Sequence, residues 1–405
     1  MPWSRPSART VLILAVLAAG AAVAITSVAR TGLYGRTAEA PYFEVDPYWP
    51  RPLPNHWMLG SAVGVSVDER DHVWIVHRPS SLADNEKGLD LKPPTGECCA
   101  AAPQVLEFDQ AGMLVGHWGG PGEGYEWPES THGLTVDRKG QVWIGGNGNS
   151  DAHMLKFTRE GKFIRQFGRA GARRGPADAK GEPTYVRGNS DARNFGRVAK
   201  VFIDEAANEA YIADGYLNKR VAVIDADTGA LKRAWGAYGN RPDDVAPEAY
   251  NPDAPPSQQF RNPVHCADLS RDGLVYVCDR QNDRLQVFRK DGTFVKEVFL
   301  SRRSLSDGSV WDVAFSTDPA QTFVYVADGR NMRIRVLKRD TLEELTTFGD
   351  GGRQPGQFYA PHSVAVDSKG NLYTTETYEG KRLQRFVYKG LRPVTVREQG
   401  TPWPK

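Results

Sequence analysis

The sequence has little cysteine, no long block of one charge sign and no helical periodicity between its apolar segments. It holds 4 cysteines in 405 residues, and none is spaced as CxxC, so a thiolate zinc site has no support. The net charge is +2, and no Lys/Arg block occurs outside the N-terminus. We therefore expect no nucleic-acid partner. The absence of helical periods between strands excludes a parallel α/β fold.

Short alternating segments separated by turn residues make up most of the chain. From Val264 to Leu269 the residues alternate between two faces, which indicates a strand. Ser270 to Gly273 then supply a turn. Three more strands follow up to Phe299, with polar turns between them. This segment is therefore predicted to be a four-stranded antiparallel meander.

Five other segments repeat this pattern at intervals of about 40–50 residues, as repeat architectures do. They lie at residues 64–78, 132–157, 198–224, 311–337 and 362–386. A single β-sandwich would not repeat one pattern six times. Stacked radially, the six units bury each other's faces. The sequence thus predicts an all-β, six-bladed β-propeller over residues 60–390, with four antiparallel strands per blade.

The N-terminus has the features of an export signal. Arg5 and Arg9 precede the uncharged apolar run Val11 to Ile25, and a small-x-small site ends at Ala29. Residues 1–29 are predicted to be a signal peptide or an uncleaved membrane anchor, and both fit the sequence. Either one places the propeller outside the cytoplasm, periplasmic or extracellular, either soluble or tethered.

Two further segments flank the propeller. Residues 30–59 form a Pro-rich approach. By analogy with other β-propellers, Phe43 to Val45 are expected to add an outer strand to the last blade and close the ring. Residues 391–405 form a C-terminal tail. We expect a monomer.

The cysteines of an exported chain should be oxidised. Cys266 and Cys278 flank the turn at Ser270–Gly273 symmetrically, so they form either a cross-strand disulfide or two neighbouring buried thiols. Cys98 and Cys99 are adjacent in a Pro-flanked loop. They form either a vicinal disulfide or reactive thiols.

Three histidines occupy one structural position. His132, His265 and His362 lie five residues before the residue that opens the first hairpin turn, in blades two, four and six. Alternate blades of a six-bladed ring are related by a three-fold rotation, so the imidazoles should converge on the axis. Three neutral imidazoles suit a catalytic Zn²⁺ with one open position. The alternative is that each imidazole satisfies a separate buried polar contact.

Arg78, Tyr216 and Arg280 follow the second strands of their blades, near the same axis. A guanidinium fork suits a substrate carboxylate. A phenol beside a cation can lose its proton and act as a base. The alternative is that each is a solvated turn residue. Taken together with the histidines, all three are predicted to have catalytic roles.

These motifs resemble those of the NHL-repeat propellers and, among them, the peptidyl-α-hydroxyglycine α-amidating lyase (peptidylamidoglycolate lyase) family. Its zinc histidines lie in phrases similar to those of the three histidines above. Its catalytic tyrosine lies in a DGY-x-N-x-R phrase, matched by residues 214–220. Its two arginines lie in an HR step, matched by His77-Arg78, and in a DR-x-N-x-R phrase, matched by residues 279–284.

The resemblance also implies a structural Ca²⁺ site. In the family it uses main-chain oxygens corresponding to Val65 and Leu134, together with an Asp after the last zinc histidine. Here Ser363 follows His362, which argues against calcium.

The resemblance implies an exported metal-dependent lyase that cleaves an α-hydroxyglycine-type substrate to an amide and glyoxylate. The substrate would be a small or peptide-like molecule with a carboxylate. Two alternatives fit the sequence: a zinc-dependent lactonase or esterase, and a non-catalytic NHL propeller that binds a protein or ligand. The insertions at 79–104, 169–194 and 237–259 are expected to form loops over one face.

Overall fold

Six four-stranded antiparallel sheets follow one another along the chain in the computed structural model, which describes residues 38–404. Blades 1 to 3, each from its inner to its outer strand, comprise Ser61–Val67, Val73–Arg78, Val105–Phe108 and Leu114–Trp118; Thr131–Val136, Val142–Gly146, His153–Phe157 and Phe163–Gly168; and Val198–Asp204, Glu209–Asp214, Arg220–Asp225 and Leu231–Trp235.

Blades 4 to 6 continue the same order. They comprise Val264–Leu269, Leu274–Asp279, Arg284–Arg289 and Phe294–Phe299; Asp312–Phe315, Phe323–Asp328, Arg333–Lys338 and Glu344–Phe348; and Pro361–Val366, Leu372–Glu376, Arg382–Pro393 and Glu39–Asp46. The first strand of each blade packs against the first strand of the next, and that of blade 6 packs against blade 1. The predicted six-bladed propeller is confirmed.

The outer strand of blade 6 comes from the N-terminal side of the chain. Glu39–Asp46 pairs antiparallel with Arg382–Pro393, with Phe43 opposite Tyr388 and Val45 opposite Phe386. Phe43 and Val45 are buried. The predicted closing strand is confirmed, and it carries the propeller's sheet into the segment before residue 60.

The C-terminal residues run beside the outer strand of blade 5. The backbone N–H of Thr347 donates to the carbonyl of Arg397 at 2.8 Å, and that of Gly349 donates to Gly400 at 2.8 Å. The N–H of Val45 donates to Pro402 at 2.7 Å. Both described ends of the chain therefore meet at the outer edge of blades 5 and 6.

The elements outside the blades are short. They are the parallel pair Trp57–Met58 and Ala100–Ala101, the antiparallel pair Arg174–Ala177 and Pro183–Tyr185, and the 3-10 helices Pro79–Ser81, Asp84–Glu86, Ala237–Gly239 and Arg280–Asn282. No helix within residues 38–404 is long and apolar enough to cross a membrane. The predicted signal peptide or anchor at residues 1–29 lies outside the described residues.

Each blade buries its faces against its two neighbours. Residues 38–404 contain six apolar clusters, and each lies at the boundary between two adjacent blades. The aromatic residue that ends an outer strand packs on the glycine turn of the next blade, as Trp118 packs on Gly161 and Trp235 on Gly292. Both glycines have positive φ, so a side chain there would be strained as well as crowded.

A buried acid–arginine pair fixes the second turn of blades 3 to 6. The acid ends the second strand, and it accepts a hydrogen bond from the Nε of an arginine in the third strand. The pairs are Asp214–Arg220 at 2.7 Å, Asp279–Arg284 at 2.7 Å, Asp328–Arg335 at 2.8 Å and Glu376–Arg382 at 2.8 Å. In blades 3 to 5 the same acid also accepts from an Asn in the turn, at residues 218, 282 and 331. The Asn and Arg of the DGY-x-N-x-R and DR-x-N-x-R phrases are thus structural.

Both cysteine pairs are disulfides. Cys266 and Cys278 lie opposite each other in the first hairpin of blade 4, with their Cα atoms 4.9 Å apart. Cys98 and Cys99 form a vicinal disulfide. Two disulfides agree with folding in an oxidising compartment.

Loss of one buried arginine should destabilise the propeller strongly. Arg335→Met leaves the fully buried Asp328 carboxylate without its cation, so we expect the free energy of unfolding to fall by about 3–5 kcal/mol. Lys338→Met, at the partly exposed end of the same strand, is the matched control and should cost at most about 1 kcal/mol. Denaturant unfolding measures both, and equal effects would contradict the structural role.

Candidate metal centre and active site

The three predicted histidines meet on the propeller axis. The ring centroids of His132, His265 and His362 lie 4.7–5.0 Å apart. One nitrogen from each ring lies within 4.8 Å of the others. The side chains are buried, with at most 3% of each residue exposed. The structure therefore brings together the imidazoles that the sequence placed on alternate blades.

The next blade in the ring orients each imidazole. Nδ1–H of His132 donates to the carbonyl of Ala199 at 2.7 Å, and Nδ1–H of His265 donates to the carbonyl of Trp311. Nδ1 of His362 contacts the Ser363 hydroxyl at 3.1 Å, and that hydroxyl donates to the carbonyl of Val63 at 3.3 Å. The odd blades thus supply the carbonyls that leave Nε2 of His132 and His265 free for a ligand, as is usual around zinc.

The surroundings keep all three imidazoles neutral. Burial holds the pKa of His132, His265 and His362 well below the usual value, and nearby positive charge lowers each further. Neutral imidazole is the form that binds a metal. The donor set, its convergence and its protonation state therefore fit zinc.

Tyr216 places its hydroxyl beside two of the imidazoles. The oxygen lies 2.8 Å from Nε2 of His132 and 3.1 Å from Nε2 of His265. The residue follows the second strand of blade 3, and its N–H donates to the carbonyl of Arg197 at 3.1 Å. The Asp214–Arg220 pair closes the turn around it. The phenol is therefore held at the metal-binding face of the cluster.

Arg280 reaches the same phenol from blade 4. Its guanidinium donates to the Tyr216 hydroxyl at 3.2 Å and lies 4.5 Å from the centre of the Trp311 ring. It also lies 3.6 Å from the Asp307 carboxylate. Among residues 38–404 its buried Nε–H has no partner. Because a buried donor without an acceptor is costly, this N–H is a good position for a ligand oxygen.

Arg78 lies at the equivalent position in blade 1. Its Nε donates to the carbonyl of Thr131 at 2.9 Å, and its Nη2 donates to the side-chain oxygen of Asn147 at 2.7 Å. Burial lowers the pKa of this guanidinium, and Tyr216 opposes the shift. Two cations thus approach the histidine cluster from different blades.

The loops predicted from the three insertions lie next to the turns that carry the arginines and Tyr216. The insertion at 79–104 starts directly after Arg78 and is tied to blade 6 by the Lys381–Glu86 ion pair at 2.5 Å. The insertions at 169–194 and 237–259 meet where the Asn189 N–H donates to Asp244 at 3.0 Å. Asn189 in turn accepts from the backbone of Lys219, near Tyr216, at 2.7 Å.

The residues predicted for calcium do not fit that ion. Val65 and Leu134 line a cavity of about 10 Å³ on the axis, together with Lys200 and Asp312. Lys200 contributes an ammonium group, which would repel a bound cation. The Ser363 hydroxyl is already engaged with Val63 and His362.

Several residues of the site were not predicted from the sequence. They are Asn147, Asp307 and Tyr378 near the arginines, and Lys200, Asp268 and Asp312 on the axis. Asn147 holds the position of Arg78 one blade further on, so blade alignment could have found it. Lys200 and Asp312 directly follow two residues at the histidine position in the odd blades, Ala199 and Trp311. Asp307 lies in a loop and left no signal.

The fold and the axial cluster define the class as a six-bladed β-propeller with three convergent imidazoles. The chain is similar to peptidyl-alpha-hydroxyglycine alpha-amidating lyase 1 of Drosophila melanogaster, at 24% identity over 379 residues, 86% of this chain and 60% of that protein. It is similar to peptidyl-glycine alpha-amidating monooxygenase B of Xenopus laevis, at 25% over 257 residues, 61% of this chain and 25% of that protein.

A third relative is NHL repeat-containing protein 3 of Mus musculus, at 24% identity over 370 residues, 86% of this chain and 85% of that protein. These relatives confirm the predicted resemblance to NHL propellers and amidating lyases. The chain spans between 25% and 60% of the length of the two amidating enzymes. No family model matches the chain. Among solved structures, a streptogramin B lyase aligns with a TM-score of 0.48 at 11% identity, covering 87% of this chain and 98% of that one.

The geometry predicts stoichiometric zinc in the purified protein. His265→Ala removes one of three ligands, so we expect the zinc content to fall from about one per chain to a small fraction. His117→Ala, at an exposed position on the outer strand of blade 1, is the control and should keep its zinc. Elemental analysis after dialysis decides, and equal zinc in both variants would contradict the site.

Proposed function

We propose that the protein is an exported lyase that cleaves an α-hydroxyglycine-type substrate into an amide and glyoxylate. One observation carries the proposal: the Tyr216 oxygen lies within hydrogen-bond distance of His132, His265 and Arg280 together. A general base, the metal ion that the histidines would hold and a cation would then act on one substrate group. The amidating lyase of Drosophila, named for this activity, supports the assignment.

His132, His265 and His362 would hold the zinc ion. Bound there, zinc would lower the pKa of a hydroxyl placed against it. The neutral imidazoles leave the net positive charge of the ion uncompensated, which favours an anionic oxygen in the pocket.

Tyr216 would move the proton. As a phenolate it takes the proton of the substrate's α-hydroxyl, and the electron pair of that O–H bond forms the aldehyde C=O. The C–N bond breaks, and the amide nitrogen receives the proton. Atoms and electrons balance between the substrate and the two products, so no co-reactant is needed. Arg280, which donates to the Tyr216 oxygen, stabilises the phenolate.

Arg280 and Arg78 would bind the substrate carboxylate. The Nε–H of Arg280 has no partner within the described part of the chain, and a carboxylate oxygen would satisfy it. Hydrogen bonds from Nδ1 of His132 and from Nε of Arg78 already hold these side chains in place. The site is therefore prepared for an anionic ligand before it binds.

Export is part of the same proposal. The two disulfides agree with an oxidising compartment, and residues 1–29 would direct the chain there. Whether residues 1–29 are cleaved or kept as a tether is tested by N-terminal sequencing of the exported protein.

Tyr216→Phe should slow turnover without releasing zinc. The change removes one oxygen that contacts His132 and His265, so the fold and metal content should persist while kcat falls by about 10²–10⁴-fold. Tyr125→Phe removes a half-buried phenol that donates to the carbonyl of Gly120 at 3.0 Å, outside the site, and should keep full activity. Glyoxylate release from an α-hydroxyglycine peptide is the assay. A fully active Tyr216→Phe would remove this residue from the mechanism.

Arg280→Lys should weaken substrate binding as well as slow turnover. Lysine keeps the charge but loses the planar fork and the Nε–H, so we expect a higher KM and a lower kcat. A substrate amidated at its carboxylate releases glyoxylamide instead of glyoxylate. When that aldehyde is measured, the KM of Arg280→Lys should differ little from that of the parent, while the lower kcat should persist because Arg280 also stabilises the Tyr216 phenolate. If the zinc-loaded parent releases no glyoxylate but cleaves a lactone or ester, the hydrolase alternative replaces the lyase.

A further inference from the structure

A charged cluster lies on the axis next to the histidines. The Lys200 ammonium is 3.0 Å from the Asp268 carboxylate and 2.6 Å from that of Asp312. The three side chains are 14%, 10% and 1% exposed. Buried charges of this kind are costly unless each has a partner. Here one cation, Lys200, pairs with both carboxylates.

The cluster joins the inner strands of four blades. Lys200 belongs to blade 3, Asp268 to blade 4 and Asp312 to blade 5. Asp312 also accepts a hydrogen bond from the Val364 N–H of blade 6 at 3.1 Å.

The cluster is continuous with the backbone that orients the imidazoles. Lys200 directly follows Ala199, whose carbonyl accepts from His132. Asp312 directly follows Trp311, whose carbonyl accepts from His265. A shift of either strand toward or away from the axis would therefore move an imidazole.

Two carboxylates at this distance could also hold a divalent ion. Ligand oxygens of Asp268 and Asp312 lie within 4.8 Å of one another, and two oxygens that each bind calcium at about 2.3–2.6 Å can be separated by up to about 5 Å. Lys200 places its ammonium between them. Burial acts to lower the pKa of Lys200, but the two carboxylates outweigh it and the pKa is raised, so the group is a cation.

We propose that Lys200 is the built-in axial cation of this propeller and takes the place that a bound divalent ion would hold between Asp268 and Asp312. The propeller then needs no calcium, and the axial strands stay fixed at any calcium concentration. This inference does not depend on the lyase activity.

The proposal is tested by measuring the Tm of the protein as CaCl2 is added. The starting buffer contains zinc but no other divalent ion. The parent should contain no calcium by elemental analysis, and its Tm should change by less than about 1 °C as CaCl2 is added. Lys200→Ala should have a lower Tm, because two carboxylates then lie buried without a cation. Added calcium should raise that Tm saturably by several degrees, as ligand linkage requires.

Two further variants serve as controls. Lys219→Ala removes another buried ammonium, which pairs with the half-exposed Asp243, and should be destabilised without a calcium response. The double variant Lys200→Met/Asp268→Asn leaves one carboxylate and should fold without a calcium response.

Three outcomes would overturn the proposal: stoichiometric calcium in the parent, a saturable calcium-dependent rise in the parent's Tm, or a destabilised Lys200→Ala that calcium does not stabilise. If Lys200→Ala does not fold, the calcium content and titration of the parent, together with the double variant, still decide it.

Discussion

The candidate site depends on closure of the ring. Each imidazole lies on one blade, and the carbonyl that orients it lies on the next, directly or through Ser363. For His362 that carbonyl belongs to blade 1, so the geometry exists only when blade 6 packs against blade 1. The pairing of Glu39–Asp46 with Arg382–Pro393 completes blade 6. Strand pairing at the outer edge of blade 6 therefore supports the arrangement of the histidines on the axis.

Even and odd blades contribute different groups to the axis. The even blades provide the imidazoles, and the odd blades provide the carbonyls that orient them. The charged cluster of Lys200, Asp268 and Asp312 adds a second layer from blades 3, 4 and 5. The imidazoles and the carbonyls that orient them thus come from different blades, whereas the supporting charges share their strands: Lys200 lies next to Ala199, and Asp268 lies on the strand of His265. Each is held by backbone pairing within its own blade and by apolar packing between blades.

The fold was predictable because each blade of the propeller repeats the same pattern of strands and turns. Alternation within strands, turn residues such as Ser270 to Gly273 and the recurrence of the pattern all agree. The convergence of the three histidines followed from symmetry, since residues at one position of a repeat lie on one circle. The closing strand at Phe43 was expected by analogy with related propellers, because the spacing of its residues does not by itself indicate a strand of the last blade.

Apart from Asn147, which blade alignment indicates, the remainder of the site was not predictable, for physical reasons. Asp307 approaches Arg280 from an irregular loop, which has no period to indicate its position. The Lys200 cluster joins residues 68 and 112 positions apart in sequence, and a single sequence contains no signal for such a pairing. The Asn and Arg of the DGY-x-N-x-R and DR-x-N-x-R phrases looked like part of the active-site motif, yet they mainly fix the turn. Only Tyr216 and Arg280 of those phrases face the histidines.

The position of the two described chain ends has a practical consequence. Residues near Ala38 and Pro402 lie together at the outer edge of the disc, where the Val394 N–H donates to Ala38 at 2.7 Å and the Val45 N–H to Pro402 at 2.7 Å. The three histidines lie on the inner strands, at the opposite edge of their sheets. A surface coating or sensor electrode could therefore hold the protein by its rim, away from the histidines on the axis.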